Sequence, residues 1–347
     1  MSPAHAEPRH AAAGWTAEIE TLNKCPVCDC QARVLAFSGM RDIVFAVAPG
    51  SWQLYRCGGC GCFYMDPRPT RESVMLAYDD YFTHSADEHT SLALAGTLLN
   101  QIRNDYLRWR LGYDLPSKGP FGRWIMWLFP FRRRRYEHLV RDLPAPGPGA
   151  RLLDIGCGSG EFLARMREIG WSVVGQEIDP KAAAAARQRG IEVVLGPLEP
   201  TSFDLPFDAI TMNHVIEHVH DPVAVLTACL KLLGPGGRLW MATPHADALG
   251  RRRFGAHWVE LDSPRHLIVF SRRSLELALR RAGFERAVVR TDIGQYGSTG
   301  GSAALHRRQT GGRQPGRLRI HAENLFGDTV MSLIPALGNE LIATAER

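Results

Sequence analysis

The stretch Arg151-Leu-Leu-Asp-Ile-Gly-Cys-Gly-Ser-Gly-Glu-Phe-Leu163 decides the fold of this chain. An apolar run ends at Asp154, and apolar residues recur at helical spacing from Glu161 onwards. Between them stand three glycines at alternate positions, which let the backbone turn tightly and approach a ligand: Gly156, Gly158 and Gly160. The stretch therefore predicts a buried strand, a glycine turn and a helix, the basic unit of a nucleotide-binding sheet.

A second buried strand, Trp171 to Glu177, follows this unit and ends in an acidic residue. Glu177 lies about 20 residues beyond the glycine turn, where an acid can accept hydrogen bonds from both ribose hydroxyls. Asp179-Pro180 then caps and begins an alanine-rich helix. The spacing predicts that Glu177 binds a ribose, whereas a surface glutamate at a strand end would need no such spacing.

Strands and helices continue to alternate after Glu177. Helices are predicted from Pro222 to Leu233 and after Ser271, and each follows an N-capping residue. This alternation predicts a parallel sheet that is covered on both faces. The further strands are predicted at Ile191 to Leu195, Phe207 to Met212 and Arg238 to Ala242.

The N-terminal part contains two Cys-x-x-Cys pairs, Cys25 with Cys28 and Cys57 with Cys60. Two such pairs joined by short strands are typical of a zinc ribbon, in which four thiolates hold a structural metal. A redox dithiol is the alternative for either pair alone. We interpret Cys30 and Cys62 as small residues after each turn rather than as extra ligands. The intervening strands are predicted at Arg33 to Phe37, Ile43 to Ala48 and Trp52 to Arg56.

The remaining N-terminal half is predicted to be a disordered tail over residues 1–20 and a helical connector over 67–148, with the zinc ribbon at 21–66 between them. Within the connector, Leu92 to Trp109 suits an amphipathic helix, and an aromatic cluster stands nearby: Tyr78, Tyr81 and Phe82. The aromatic residues of 121–131 adjoin Arg132 to Arg135. This segment either packs on the main domain or makes peripheral contact with an anionic membrane surface.

The composition is ordinary for a globular protein, with 347 residues, 45% hydrophobic and 22% charged. The net charge of +5 does not by itself demand nucleic acid. No apolar run is long enough to span a bilayer, and the N-terminus lacks the core of a signal peptide. We therefore expect a cytoplasmic protein whose cysteines bind metal or remain thiols.

Four motifs in order resemble the class I S-adenosylmethionine-dependent methyltransferases, of the ubiquinone-biosynthesis and sugar methyltransferase type. They are Asp154 to Gly160, Glu177, Phe207 to His218, and Leu232 to Leu239. The resemblance implies a methyltransferase domain over 149–347 with a seven-stranded Rossmann-like sheet, mostly parallel. Its antiparallel last strand would come from a hairpin of Arg286 to Thr291 with Leu341 to Ala345. The resemblance also implies a cofactor site at Asp154, Gly156, Cys157, Gly158, Gly160, Glu177, Ile178, Asn213 and His214.

The chain departs from the family pattern in two places. The loop after the third strand reads Gly196-Pro-Leu198 and lacks the acidic residue that the family usually places near the adenine. Residues 294–339 form an insertion before the last strand, which we interpret as a surface loop rather than a flap over the substrate.

A methyl transfer to a hydroxyl or a carbon needs a base, which we expect beyond the carboxyl ends of the strands. The resemblance to methyltransferases of sugar and polysaccharide biosynthesis favours His245 and His266 as bases, with His214 as a third candidate. It favours Trp258 and Arg265 as substrate contacts. Helix capping and packing are the alternative roles. The expected acceptor is a sugar, a nucleotide-sugar, or a glycan or lipid-linked precursor.

Three other functions compete with this one. His214-Val-Ile-Glu-His218 also fits a zinc-peptidase pattern, which would need a third metal ligand and leaves the glycine loop unexplained. An RNA or protein methyltransferase could use the zinc ribbon to hold its polymer. An inactive methyltransferase fold could serve as an adaptor, although the intact Asp154 and Glu177 argue against it.

Overall fold

The computed structural model describes residues 14–78, 92, 97–198, 203–294, 298–311 and 316–347. The strands are β1 (Ile19–Glu20), β2 (Arg33–Met40), β3 (Trp52–Cys57), β4 (Phe63–Met65), β5 (Arg68–Pro69), β6 (Arg151–Ile155), β7 (Ser172–Glu177), β8 (Glu192–Leu195), β9 (Phe207–Asn213), β10 (Leu233–Pro244), β11 (Ile268–Val269), β12 (Arg286–Asp292) and β13 (Glu340–Glu346). The helices are α1 (Leu98–Leu111), α2 (Gly122–Leu128), α3 (Pro130–Leu139), α4 (Glu161–Glu168), α5 (Pro180–Gln188), α6 (Pro222–Leu232), α7 (Leu249–Phe254), α8 (Arg272–Arg281), α9 (Ser298–Gln309) and α10 (Arg317–Leu333).

The main sheet has seven strands in the order β12-β13-β10-β9-β6-β7-β8. All neighbours pair in parallel except β13, which runs antiparallel to both β10 and β12. The predicted α/β sheet and its antiparallel last strand are therefore confirmed. The central strand β6 is almost wholly buried, because helices cover both faces and leave no side of this strand to water.

The turn between β6 and α4 requires glycine at named positions. Gly156 has a φ of +66°, and a Cβ there would approach Val215 Cγ2 to 2.5 Å. Gly160 has a φ of +76°, and a Cβ there would lie 2.9 Å from the Cβ of Ala186 on α5. The glycines thus allow the strand, the turn and two helices to pack closely.

A second sheet joins the cysteine-rich region to the larger domain. Its order is β11-β4-β3-β2, and β11 comes from the segment that precedes α8. One hydrophobic core runs from Trp52 and Phe63 to Leu275 and Leu279 of α8. The cysteine-rich region is therefore built onto the larger domain through this shared core.

Two N-terminal predictions need correction. The strand predicted at Ile43 to Ala48 is a loop, because the Asp42 carboxylate accepts the backbone N–H groups of this segment at 3.0 Å. The disordered tail does not extend over residues 14–20: Trp15 packs edge-on against Trp52, with ring centroids 5.4 Å apart, and β1 pairs with β5. The rest of that predicted tail, with Tyr81 and Phe82, lies outside the described residues.

The connector contains α1, α2 and α3, and its first helix begins at Leu98 rather than Leu92, after the N-cap Thr97. The insertion before β13, predicted as a loop, contains α9 and α10 instead. These two helices pack at glycines, and the Gly300 N–H donates to Asn324 Oδ1 at 2.7 Å. Across the residues described, we find no helix with both the length and the apolar character that membrane crossing requires.

Candidate active site

The glycine turn and Glu177 meet at the carboxyl ends of β6 and β7. Glu177 Oε2 accepts the N–H of Gly158 at 2.8 Å, and Oε1 accepts the N–H groups of Ile178 and Asp179 at 2.8 and 3.0 Å. These bonds fix the carboxylate beside the turn. A Cβ at Gly158 would meet nothing within 4 Å, so the backbone there borders open space. The Ile178 side chain, 46% exposed, lies at the same strand end.

Asp154 is buried beneath the turn and bonded to Arg141, a residue that the sequence analysis missed. Its Oδ1 accepts from the Arg141 guanidinium and, at 2.9 Å, from the Thr211 hydroxyl. Burial raises the pKa of Asp154, and the charge of Arg141 opposes that rise. Arg141 follows α3 with a φ of +50° and stacks on Phe162, 3.6 Å from the ring centroid. A helix-terminal arginine gives no sequence signal for such a role.

Two buried acceptors at the strand ends lack a partner in the described part of the chain, namely Asp154 Oδ2 and Asn213 Oδ1. A buried acceptor without a donor is costly, so both suit a ligand that brings N–H or O–H groups. These two acceptors, the Glu177 carboxylate and the open space at Gly158 together fit a nucleoside that carries an amino acid group. The thiol of Cys157 packs inward against Gly175 and burial raises its pKa, so the predicted cofactor contact of Cys157 would have to come from its backbone.

His214 lies between two carboxylates at the end of β9. Its Nδ1 is 3.1 Å from Glu217 Oε1, and its Nε2 is 3.1 Å from Glu340 Oε1. Burial lowers the pKa of His214, but the two carboxylates outweigh burial and leave the pKa well above its usual range. Both ring nitrogens are therefore donors in a protonated imidazole. This contradicts the prediction of His214 as a general base.

His218 and His266 form a pair of imidazoles next to Glu217. The Nδ1 of His218 donates to the carbonyl of Arg265 at 3.0 Å, and the Nδ1 of His266 donates to the carbonyl of Glu260 at 2.7 Å. Their ring centroids are 4.6 Å apart. Burial and the neighbouring His266 lower the pKa of His218 to about 4. Because Nδ1 donates in both rings, Nε2 is the nitrogen left to take up a proton, so His266 remains a candidate base and His218 becomes a second one.

His218 and His266 also lie close enough to Glu217 for the three side chains to hold a metal ion together. One ligand atom from each of Glu217, His218 and His266 lies within 4.8 Å of the others. The zinc-peptidase pattern predicts His214 in this set, but His214 faces the two carboxylates instead. The pattern in the sequence therefore does not describe the cluster that the fold assembles.

The structure places the other predicted substrate-side residues in the interior. His245 is buried, and its Nδ1 donates to the carbonyl of Gly338 at 3.0 Å. Trp258 is buried against Gly250, where a Cβ would come within 2.4 Å of the indole nitrogen. For His245 and Trp258 the packing role, which the sequence analysis kept as the alternative, agrees with this burial.

Arg265 also has a different role from the predicted substrate contact. It is fully buried and bonds Asp262 at 2.6 and 2.9 Å and Asp42 at 2.7 and 3.0 Å. It donates to the carbonyl of Ala77 as well. Because Asp42 belongs to the N-terminal region, the guanidinium connects that region to the loop that carries His266.

Four cysteine sulfurs gather as the two pairs predict, with Cys25, Cys28, Cys57 and Cys60 all within 4.8 Å of one another. Cys28 Sγ is 3.4 Å from Cys57 Sγ, and Cys25 Sγ is 3.7 Å from Cys60 Sγ. Backbone N–H groups point at Cys25 Sγ and Cys57 Sγ, as in a metal-binding turn. Cys30 Sγ contacts the carbonyl of Ala32 instead, whereas the buried Cys62 lies 3.5 Å from Cys60. The donor set fits tetrahedral zinc.

Residues 129–289 match the family model described as "Methyltransferase domain". A ubiquinone biosynthesis O-methyltransferase of Cereibacter sphaeroides is 38% identical over 130 residues, which are 34% of this chain and 53% of that protein. A protein of the same name from Xanthomonas campestris is 36% identical over 104 residues, which are 28% of this chain and 44% of the relative. This chain thus spans about half the length of the curated relatives it matches.

Two solved structures of methyltransferases match this chain at low sequence identity. An S-adenosylmethionine-dependent methyltransferase of Archaeoglobus fulgidus is 18% identical, covers 65% of this chain and 99% of its own, and has a TM-score of 0.42. One from Mesorhizobium loti is 20% identical, covers 61% and 97%, and has the same TM-score of 0.42. The family match and the sequence relatives support a class I S-adenosylmethionine-dependent methyltransferase domain over residues 129–289.

Proposed function

We propose that the protein binds S-adenosylmethionine at the glycine turn and transfers its methyl group to a small acceptor. The observation that carries this proposal is the Glu177 carboxylate, held by the N–H of Gly158 beside open space. Glu177 would accept the ribose hydroxyls, and the unpartnered Oδ2 of Asp154 suits the amino acid end of the cofactor. The bound cofactor would supply a methyl group on a positively charged sulfur, which is a good leaving group.

The protein's own contribution is to orient the acceptor and take its proton. The Nε2 of His266 or His218 would serve as the base, since both Nδ1 atoms donate to carbonyls and leave Nε2 to take up a proton. In our proposal this nitrogen removes the acceptor's proton, and the acceptor oxygen bonds the methyl carbon as the carbon–sulfur bond breaks. His214, Glu217 and Glu340 would hold the wall of the site in place.

We propose an O-methylated product, because the sequence relatives bear the name of O-methyltransferases. Within that chemistry, a sugar, a nucleotide-sugar, or a glycan or lipid-linked precursor is our proposed acceptor, with a carbon acceptor as the alternative. The resemblance of the motifs to sugar methyltransferases supports this class. We further propose that Cys25, Cys28, Cys57 and Cys60 hold a structural zinc ion, which would leave no open position for catalysis.

Calorimetric titration with S-adenosylmethionine tests the cofactor site. Glu177→Ala should weaken binding about tenfold or more, because it removes charge-assisted hydrogen bonds to the ribose. Glu192→Ala is the matched control, since Glu192 is an exposed glutamate at the start of the neighbouring strand β8. If the wild type does not bind the cofactor, or if both variants bind it as tightly as the wild type, the proposal is wrong. Once cofactor binding is established, methylation assays on sugar, lipid-linked, RNA and peptide acceptors decide the acceptor class.

A further inference from the structure

An unusual apolar surface lies on α2 and the residues that flank it. Phe121, Trp124, Trp127, Leu128 and Phe129 are between 50% and 75% exposed. Isolated apolar residues on a surface are common, but five large ones within nine positions form a contiguous patch. Such a patch needs a partner to remove it from water. We call these five residues the α2 patch.

The fold fixes α2 so that this face points outward. Gly122 and Met126, one turn apart, are buried on the opposite face. A Cβ at Gly122 would lie 2.3 Å from the carbonyl oxygen of Ile102, so α2 lies directly on α1. The Asp105 carboxylate accepts the N–H groups of Gly122 and Arg123 at the helix start. The apolar exposure therefore belongs to an anchored helix.

Arginines adjoin the α2 patch along the start of α3. Arg132 and Arg135 are exposed, and no carboxylate lies within ion-pair distance of either in the described part of the chain. Arg123 stacks on Trp124, with its guanidinium carbon 5.0 Å from the ring. Tryptophan, phenylalanine and leucine beside uncompensated arginines match the interface of an anionic bilayer, where rings enter the headgroup layer and guanidinium groups meet phosphates.

We infer that the α2 patch docks the protein onto an anionic lipid surface, with Arg132 and Arg135 contacting the headgroups. The candidate active site lies close to this surface, because α3 runs from the patch to His138, 4.0 Å from Glu340. From Pro130 to His138 the helix rises about 12 Å. Docking would therefore bring the wall that holds His214 near the membrane, which suits an acceptor with a lipid tail.

Vesicle co-sedimentation of the full chain tests this inference. The wild type should bind vesicles of phosphatidylcholine with phosphatidylglycerol more tightly than vesicles of phosphatidylcholine alone, and salt should weaken the binding. The double variant Trp124→Ser with Trp127→Ser should lose binding at least tenfold. Its control, Val34→Ser with Leu35→Ser, changes two exposed apolar residues on β2 and should bind as the wild type does.

The charge arm uses Arg132→Gln with Arg135→Gln, which should weaken binding about fivefold per arginine on anionic vesicles only. Arg272→Gln with Arg273→Gln, an exposed pair on α8, is its control. Unchanged circular dichroism and cofactor affinity would show that each variant folds. The inference is overturned if the wild type ignores anionic vesicles, or if patch and control variants bind equally. It is also overturned if sedimentation velocity shows a dimer that the tryptophan variant dissolves, since the patch would then join two copies of the chain.

Discussion

The chemical role of each histidine in the candidate site depends on which of its ring nitrogens already makes a hydrogen bond. His214 follows β9 at the edge where the sequence analysis expected the cofactor and a base, but two carboxylates favour its protonated form. Its neighbour His218, which the sequence analysis did not single out as a base, uses its Nδ1 for the carbonyl of Arg265 and the hydroxyl of Tyr78. These protonation states depend on Glu340 and Arg265, which are distant in the sequence, so motif spacing could not predict them.

The buried His218 should make the protein sensitive to mild acid. Its pKa of about 4 lies below the usual value for histidine, so the unfolded chain takes up this proton more readily than the folded one. The contribution of the neutral His218 to the free energy of unfolding is therefore fully present above about pH 6.5. It declines as the pH falls towards 4, by at most about 3 kcal/mol. Urea unfolding across this range should show a shallower decline for His218→Gln than for the wild type.

The matched control for this pH experiment is His321→Gln, which changes an exposed histidine on α10. It should decline in stability as steeply as the wild type. Glu217, whose pKa of about 2 reflects burial opposed by its bond to His214, loses its contribution only below about pH 4.5, in a separate window. Equal slopes for wild type and His218→Gln between pH 6.5 and 4.5 would show that His218 is not held neutral.

At the scale of elements, strands with apolar runs and helices with strong caps could be predicted from the sequence. Helices whose residues form helix poorly, and which depend on contacts with other elements, could not. The strands β6, β7 and β9 and the turn at Gly156 follow from local pattern alone. The helix α9 begins with the poor helix formers Gly300 and Gly301, so its sequence suggests a loop. Gly300 is needed there because a Cβ would lie 2.7 Å from Asn324 Oδ1 on α10.

The loop between α7 and α8 illustrates the same limit for site residues. The resemblance favoured Trp258 and Arg265 of this loop as substrate contacts, yet Arg265 holds the loop to the segment after β2. We expect Arg265→Met to lower the free energy of unfolding by about 3 to 5 kcal/mol, because it leaves Asp42 and Asp262 as buried, uncompensated charges. Arg238→Met should cost at most about 1 kcal/mol, since its bridge to Glu346 is exposed. Chemical denaturation of the two variants measures the difference.

A cost for Arg265→Met no larger than that for Arg238→Met would show that the buried network does not hold the loop. A second comparison separates stability from substrate contact. If Arg265 touched the acceptor, Arg265→Lys would raise the KM for that acceptor while leaving the melting temperature close to that of the wild type. The geometry predicts a lower melting temperature instead, because lysine cannot reproduce the two bidentate bonds to Asp42 and Asp262.

At the scale of the whole molecule, the cysteine cluster and the methyltransferase domain share one core. The backbone carbonyl of Cys60 accepts the hydroxyl of Ser271, the N-cap of α8, at 2.7 Å. Arg281, at the other end of α8, donates to the carbonyl of Val27 at 2.6 Å. With β11 in the same sheet as β4, the cysteine-containing turns contact the larger domain at several points. Loss of the proposed zinc should therefore affect the entire chain and not the N-terminal region alone.

Cys28→Ser tests this coupling, with Cys30→Ser as its control, because Cys30 stands two residues away but outside the set of four sulfurs. The wild type and Cys30→Ser should each carry about one zinc ion per chain, as expected for a four-cysteine site. Cys28→Ser should lose the zinc and lower the free energy of unfolding by more than about 4 kcal/mol. Elemental analysis and scanning calorimetry measure both quantities. Because the core is continuous, calorimetry should show one transition that moves to lower temperature. Two transitions, of which the hotter stays at the wild-type temperature, would mean that the cysteine region folds independently, and a wild type without zinc would rule out the metal.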